Sequence, residues 1–222
     1  MFVEDTFSPA PLGLKVTFIG HATLIVTYGD TVIHVDSVGE KADYAKLPKA
    51  GIVLVTHEHS DHLDAGAIAK VRTPETAVVV AARCAGKVPG SIVLQNGDSR
   101  AVKGIRIEAV PAYNVVHMRA PGAPFHPKGD GNGYVLTLGT RRLYVAGDTE
   151  NTREMKSLKR IDVAFLPMNL PYTMTPEMVA DAALAFRPKV LYPYHFGDTD
   201  TRRIQDLLAS AKDIEVRIRP MS

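Results

Sequence analysis

Three histidines and an aspartate lie within the six residues His57-Glu58-His59-Ser60-Asp61-His62. Neutral imidazole and carboxylate together suit a divalent transition metal, with zinc favoured and manganese or iron as alternatives. His57 and His59 are two apart on an extended segment, so both rings can point to one side and share a cation. Asp61 and His62 follow as the chain turns toward a helix and can grip a second cation nearby. Two later segments end in the same chemistry: Arg142-Leu-Tyr-Val-Ala-Gly-Asp148-Thr149 closes on a carboxylate that could bridge two ions, and Val190-Leu-Tyr-Pro-Tyr-His195 closes on an imidazole. Taken alone, either would read as a turn aspartate or a structural histidine.

The elements that must position these groups are legible from pattern. Runs at Leu14–Ile19, Ala22–Tyr28 and Thr31–Asp36 form an antiparallel meander, with Gly29-Asp30 as a tight turn. Gly51–Thr56 lacks alternation, as a strand buried on both faces does, and leads straight into His57. A helix is expected at Leu63–Val71, then strands at Thr76–Val80, Ser91–Leu94 and Gly104–Pro111. The second half repeats the style, with strands at Gly133–Leu138, Arg142–Ala146, Val163–Pro167 and Val190–Tyr194. Between the last two, Thr175 caps a helix with Pro176 in its first turn and Val179, Ala182, Ala183 and Phe186 on one face. A helix near Thr201–Ala211 and a strand at Ile214–Ile218 close the chain. The pattern predicts a four-layer αββα sandwich of two similar halves, forming one domain over residues 1–222. The loop from Asn114 to Asn132, rich in Pro, Gly and His, is long enough to imply function.

Composition narrows the function classes. At 222 residues with 45% hydrophobic content, one sizeable core is affordable, and the formal charge of +2 argues against polyanion binding. Cys84 is the only cysteine, so no internal disulfide is possible, metal ligation must rest on histidine and carboxylate, and the thiol is expected to be buried. No basic segment followed by an apolar run opens the chain, and no stretch is long enough to span a bilayer. A soluble, cytoplasmic protein is expected, with export after removal of an upstream signal as the alternative. Gly-x-Ser-x-Gly and Gly-x-x-x-x-Gly-Lys sequences are both absent, which gives no support to serine hydrolase or P-loop chemistry.

The series His-x-His-x-Asp-His, then Gly147-Asp148-Thr149, then His195 resembles the ligand series of the metallo-β-lactamase-fold superfamily. Gly20-His21-Ala22-Thr23, Pro111-Ala112-Tyr113, Ala146-Gly-Asp-Thr149, Leu166-Pro167 and Tyr172-Thr173-Met174 narrow the likeness. They resemble the branch holding ascorbate-6-phosphate lactonase-like proteins and the N-acyl-phosphatidylethanolamine-hydrolysing phospholipase D. The resemblance implies the αββα fold and puts His57 and His59 on a first metal, Asp61, His62 and His195 on a second, and Asp148 between them. It departs at one position: where relatives carry a histidine after Pro-Ala-aromatic, this chain has Asn114. An amide oxygen is a poorer zinc ligand than imidazole, so the third ligand of the first metal is Asn114 itself or a side chain from the following loop. His126 is favoured there over His117. His21 and Asp36 are candidates to hydrogen-bond around the ligands, and Tyr172 is the leading candidate for substrate contact. His34 shares a strand face with Asp36, and Glu58 is expected to point away from the metals.

The expected activity is hydrolysis by a hydroxide activated between two ions, since such a centre lowers the pKa of water from about 15.7 to about 7. Asp61 and Asp148 are the expected catalytic residues, and the substrate is expected to be a small lactone, ester or phosphodiester. The oligomeric state is left open. Three rivals remain. A nuclease or nucleic-acid binder would need a basic stripe that is not evident, so no nucleic-acid partner is expected. Redox chemistry at a di-iron centre is opposed by His59. A non-catalytic metal-binding protein is the reading that Asn114 keeps open.

Overall fold

The computed structural model describes residues 2–7 and 13–222. A first seven-stranded sheet runs in chain order through β1 (Val3–Phe7), β2 (Leu14–Gly20), β3 (Thr23–Tyr28), β4 (Thr31–Val35), β5 (Ile52–Val55), β6 (Ala77–Ala81) and β7 (Ile92–Leu94). Strands β1 to β4 pair antiparallel and β4 to β7 pair parallel. The helix α1 (Ala65–Val71) makes the crossover from β5 to β6.

The second half repeats this order from edge to edge. It begins with β8 (Ser99–Val102) and β9 (Ile105–Ala112), after which a separate two-stranded hairpin, β10 (Met118–Ala120) with β11 (Ala123–Pro124), stands outside the sheet. Strands β12 (Gly131–Leu138) and β13 (Arg141–Val145) complete the antiparallel part. Three strands then join in parallel: β14 (Val163–Pro167), β15 (Val190–Tyr194) and β16 (Glu215–Val216). Helices α2 (Arg153–Lys156), α3 (Pro176–Phe186) and α4 (Arg202–Leu207) connect them.

The pattern of β5 shows how the layers are specified. Ile52 and Leu54 face the other sheet, in a core that includes Phe18, Phe165 and Tyr192, whereas Val53 and Val55 face outward onto Ala67, Ile68 and Val71 of α1. A strand apolar on both faces is therefore sandwiched, which is why its sequence does not alternate. In the inter-sheet core, Phe165 stacks on Tyr192 at 5.0 Å between centroids and Phe18 tilts against the same ring at 5.1 Å. On the outer face of the second sheet, Val179, Ala182, Ala183 and Phe186 of α3 pack on Tyr144, Ala164, Leu166 and Leu191. The result is the expected four-layer αββα sandwich with two similar halves.

Local chemistry fixes the helix starts. The Asp64 carboxylate accepts hydrogen bonds from the Gly66 and Ala67 amides at the head of α1, and the Thr175 hydroxyl accepts one from the Met178 amide of α3, where Pro176 occupies the first turn.

The structure departs from expectation at the margins. Strands β1 and β8 and the short helix α2 were not anticipated; β1 is held by pairing with β2 and by Asp5, which accepts hydrogen bonds from Arg219 and the Tyr192 hydroxyl. The segment from Asn114 is no plain loop, because it contains the β10–β11 hairpin and its last two residues already belong to β12. The final strand is only Glu215–Val216, and the preceding helix ends at Leu207. Among the described residues, no helix is long and apolar enough to cross a membrane.

Candidate metal centre

The site lies where strands of both sheets end. Asp36 follows β4, His57 follows β5, Asp148 follows β13 and His195 follows β15, while His21 occupies the turn from β2 into β3. Loops leaving rigid strands can aim several side chains at one point. The backbone is bent sharply to do so: His21, Asp36 and His195 all have positive φ, at 55°, 46° and 48°. Non-glycine residues adopt this region rarely and at a cost that surrounding structure must offset. Gly147 at φ 67° has a further reason to be glycine, since a Cβ there would lie 2.9 Å from the Asn132 carbonyl oxygen and 3.0 Å from Thr56 Cβ.

Three overlapping sets of donor atoms result. His57, His59 and His126 form one, His21, Asp61, His62 and His195 a second, and His57, His62 and Asp148 a third; within each, the donors lie within 4.8 Å of one another. Asp148 stands between the first two sets. Its Oδ2 is 3.4 Å from His126 Nε2, 3.4 Å from His195 Nε2 and 3.9 Å from His57 Nε2, and its Oδ1 is 3.4 Å from His62 Nε2.

The chemistry of these donors fits divalent cations. His62 Nε2, Asp148 Oδ1 and His195 Nε2 are buried without a hydrogen-bond partner among the described residues, a costly state for polar atoms unless a cation completes them. The opposite ring nitrogens of His62 and His57 are held in place, whereas His195 Nδ1 has no partner among the described residues. His62 Nδ1 is 2.8 Å from Asp36 Oδ2, and that fully buried carboxylate also accepts hydrogen bonds from the Thr56 amide and hydroxyl. His57 Nδ1 sits 3.1 Å from the Thr56 hydroxyl. Anchoring Nδ1 in this way fixes the ring and leaves Nε2 for a metal.

Electrostatics points the same way. Burial, reinforced by the neighbouring His62 charge, pulls the His57 pKa well below its ordinary value, and burial with His126 lowers that of His59. For Asp148 burial opposes ionisation, but His195 and His62 outweigh it and hold the carboxyl far below its usual range. Burial likewise opposes ionisation of Asp61, and His195 and His21 outweigh it there. Ionised carboxylates and neutral imidazoles are the forms that ligate metals. His62 is the exception: burial works against its charge, yet Asp148 and Asp36 raise its pKa well above normal, so a cation would compete with a proton there.

The structure distinguishes the candidates left open for the first set. Asn114 does not offer its amide oxygen to the cluster: Oδ1 is 2.8 Å from both the main-chain nitrogen and the ring Nδ1 of His126. Its Nδ2 donates to Glu150 and to the Tyr172 carbonyl. His117 is likewise turned aside, with Nδ1 2.6 Å from Glu150 Oε1. His126 is the one brought beside His57 and His59. His21, expected to hydrogen-bond around the ligands, has its Nε2 3.3 Å from Asp61 Oδ2 and its ring 3.8 Å from that of His195, and it also falls within the second donor set. Glu58 does turn from the donors, pairing with Lys87 at 2.8 Å and Arg83 at 3.4 Å, and His34 is buried with Nε2 against the Pro48 carbonyl oxygen.

Glu150 is the residue that sequence reading missed. Fully buried, it accepts hydrogen bonds from the amides of Val115, Val116 and His117 and from Asn114 Nδ2. It thereby folds the chain that carries Asn114, which in turn fixes His126. An acid after Gly-Asp-Thr gives no signal of this, since its partners are backbone amides thirty-odd residues away.

Two cavities open on the cluster. One of about 190 Å³ is bounded by His57, His59, His126 and Asp148 with Arg119, Phe125 and Asn132. The other, of about 420 Å³, is bounded by His21, Asp61, His195 and Asp148 with Arg119, Asn169 and Tyr172. Tyr172 is exposed and packs edge-on against Phe125.

Comparison with known proteins identifies the family. A family model described as the beta-lactamase superfamily domain matches residues 15–195. A UPF0173 metal-dependent hydrolase of Pelotomaculum thermopropionicum is 31% identical over 220 residues, covering 92% of this chain and 96% of that protein. A second from Koribacter versatilis is 34% identical, covering 83% and 85%. A crystal structure of a Parabacteroides distasonis protein, assigned to the metal-dependent hydrolases, matches with a TM-score of 0.95 and 46% identity over all of both chains. Igni18, a metallo hydrolase from Ignicoccus hospitalis, shares the fold, with a TM-score of 0.75 and 24% identity over 94% of this chain and 96% of its own. The chain belongs to the metallo-β-lactamase superfamily and is a metal-dependent hydrolase.

Proposed function

We propose that the chain works as a single unit over residues 1–222 and hydrolyses a small lactone, ester or phosphodiester at a dinuclear centre, with zinc the favoured metal. His57, His59 and His126 would hold one ion, Asp61, His62 and His195 the other, and Asp148 both. The observation that carries this reading is the position of Asp148, whose carboxylate is near histidines of both sets. Two cations there would lower the pKa of water and polarise a carbonyl or phosphoryl oxygen.

The chain's own part is to fix the donors and shape the approach. Asp36 and Asn114 orient His62 and His126 through Nδ1, so that the geometry is set before substrate arrives. Tyr172 and Phe125 form an aromatic wall against which the substrate's apolar portion can pack. His21 stands beside Asp61 and His195, where it either adds a ligand or restrains Asp61. The test is a metal-reconstituted panel of lactones, esters and phosphodiesters. Turnover that disappears with chelation supports the proposal, and a fully loaded enzyme inactive on every member refutes it.

A further inference from the structure

Both cavities share one side chain that the hydrolytic reading leaves unused, that of Arg119. It projects from the β10–β11 hairpin with its guanidinium 5.6 Å from the centroid of the Phe125 ring, and Phe125 is braced edge-on by Tyr172 at 5.1 Å. Stacking on a braced ring restrains the arginine and leaves its N–H edge free to bind. Among the described residues, the Arg119 side chain makes no hydrogen bond or ion pair.

The surface acids around it are paired, and Asp61 and Asp148 belong to the donor sets, Asp148 lying beside His62, His126 and His195. Glu58 is paired with Lys87 and Arg83, Asp130 with Arg83 at 3.7 Å, and Asp61 lies beside His21 and His195. A guanidinium that borders both cavities of the donor cluster and has no carboxylate paired to it is suited to an anion supplied from outside. Asn169, whose side chain makes no hydrogen bond among the described residues, also borders the larger cavity.

We infer that Arg119 recognises an oxyanion of the substrate, a carboxylate or phosphate remote from the bond that is cleaved, and so selects anionic over neutral substrates. This inference rests on the hydrolase reading for its substrate but on the hairpin geometry for its residue. Arg119 binds; the reacting atoms lie at the metal centre.

The test uses two matched pairs on metal-loaded protein: mono-4-nitrophenyl glutarate against 4-nitrophenyl pentanoate, and a γ-lactone bearing a phosphorylated against a free hydroxymethyl group. The wild type is expected to favour the charged member of at least one pair, and the pair with the larger preference identifies carboxylate or phosphate as the group read. Arg119→Gln should reduce that preference in kcat/KM about tenfold, mainly through KM, because a charge-assisted hydrogen bond is lost. Arg119→Lys should restore part of it, with metal content equal in all three proteins. Indifference of the wild type to charge, or an unchanged preference in Arg119→Gln, overturns the inference. If none of the four compounds is turned over, the hydrolase reading fails for them and Arg119 is judged by calorimetric binding of glutarate and inorganic phosphate. Weaker binding by Arg119→Gln then supports its role, and equal binding overturns it.

Discussion

The amide oxygen of Asn114 lies 2.8 Å from the ring Nδ1 of His126. Asn114 would therefore act on the first metal through His126. Asn114→Ala should lower affinity for one of two ions by about 10–100-fold, the usual consequence of removing an outer partner of a ligating histidine. Zinc titration of the metal-free protein measures it. Unchanged affinity for both ions would show that His126 needs no such orientation.

The second anchored ring is that of His62. Its Asp36 partner is fully buried and also accepts two hydrogen bonds from Thr56, so the carboxylate serves the fold as well as the ring. Asp36→Asn should weaken the other ion's binding by a similar ~10–100-fold and also lower the melting temperature. A variant with normal metal content and stability would contradict both roles.

Gly147 precedes Asp148 with φ of 67° and no room for a methyl group. Gly147→Ala is expected to cost roughly 1–3 kcal/mol through backbone strain and the forced contact with Asn132 and Thr56. Urea unfolding gives the value directly, and a variant as stable as wild type would mean that the turn can relax.

Cys84 supplies a pH test away from the metal centre. Burial pushes its thiol up to about 12 from an ordinary 9.0. Below pH 9 the thiol is neutral in both folded and unfolded chains, so its contribution to stability is complete. As pH rises from 9 toward 12 the unfolded chain ionises first, and that contribution is lost. The native protein should resist iodoacetamide at pH 8 and react once denatured, as mass spectrometry would show. Rapid native alkylation would contradict the burial.

Much of the fold could be read in advance because its signals are local. Ile52–Val55 is apolar on both faces since a sheet and a helix cover it, and His57 to His62 stand together in sequence because one strand end delivers them. The missed strand β1 carries Glu4 and Asp5, whose partners Lys15, Thr17, Tyr192 and Arg219 come from β2, β15 and the end of the chain. Sequence favours His126 over His117 but does not decide among Asn114, His117 and His126, for a related reason. The choice depends on how Glu150 gathers the amides of 115–117, an arrangement with no local signature. Arg119 was equally silent, since a lone arginine in a loop acquires meaning only from the ring it stacks on and the cavities it borders.

The most direct test of a dinuclear hydrolytic centre is the number of zinc ions bound per chain by the wild type, His126→Ala and His195→Ala, with hydrolysis followed in the same samples. The account predicts two ions and turnover for the wild type, one ion for each variant, and activity in the wild type that rises with occupancy of the second ion. A wild type saturated and fully active with one ion, or both variants retaining two, would contradict it.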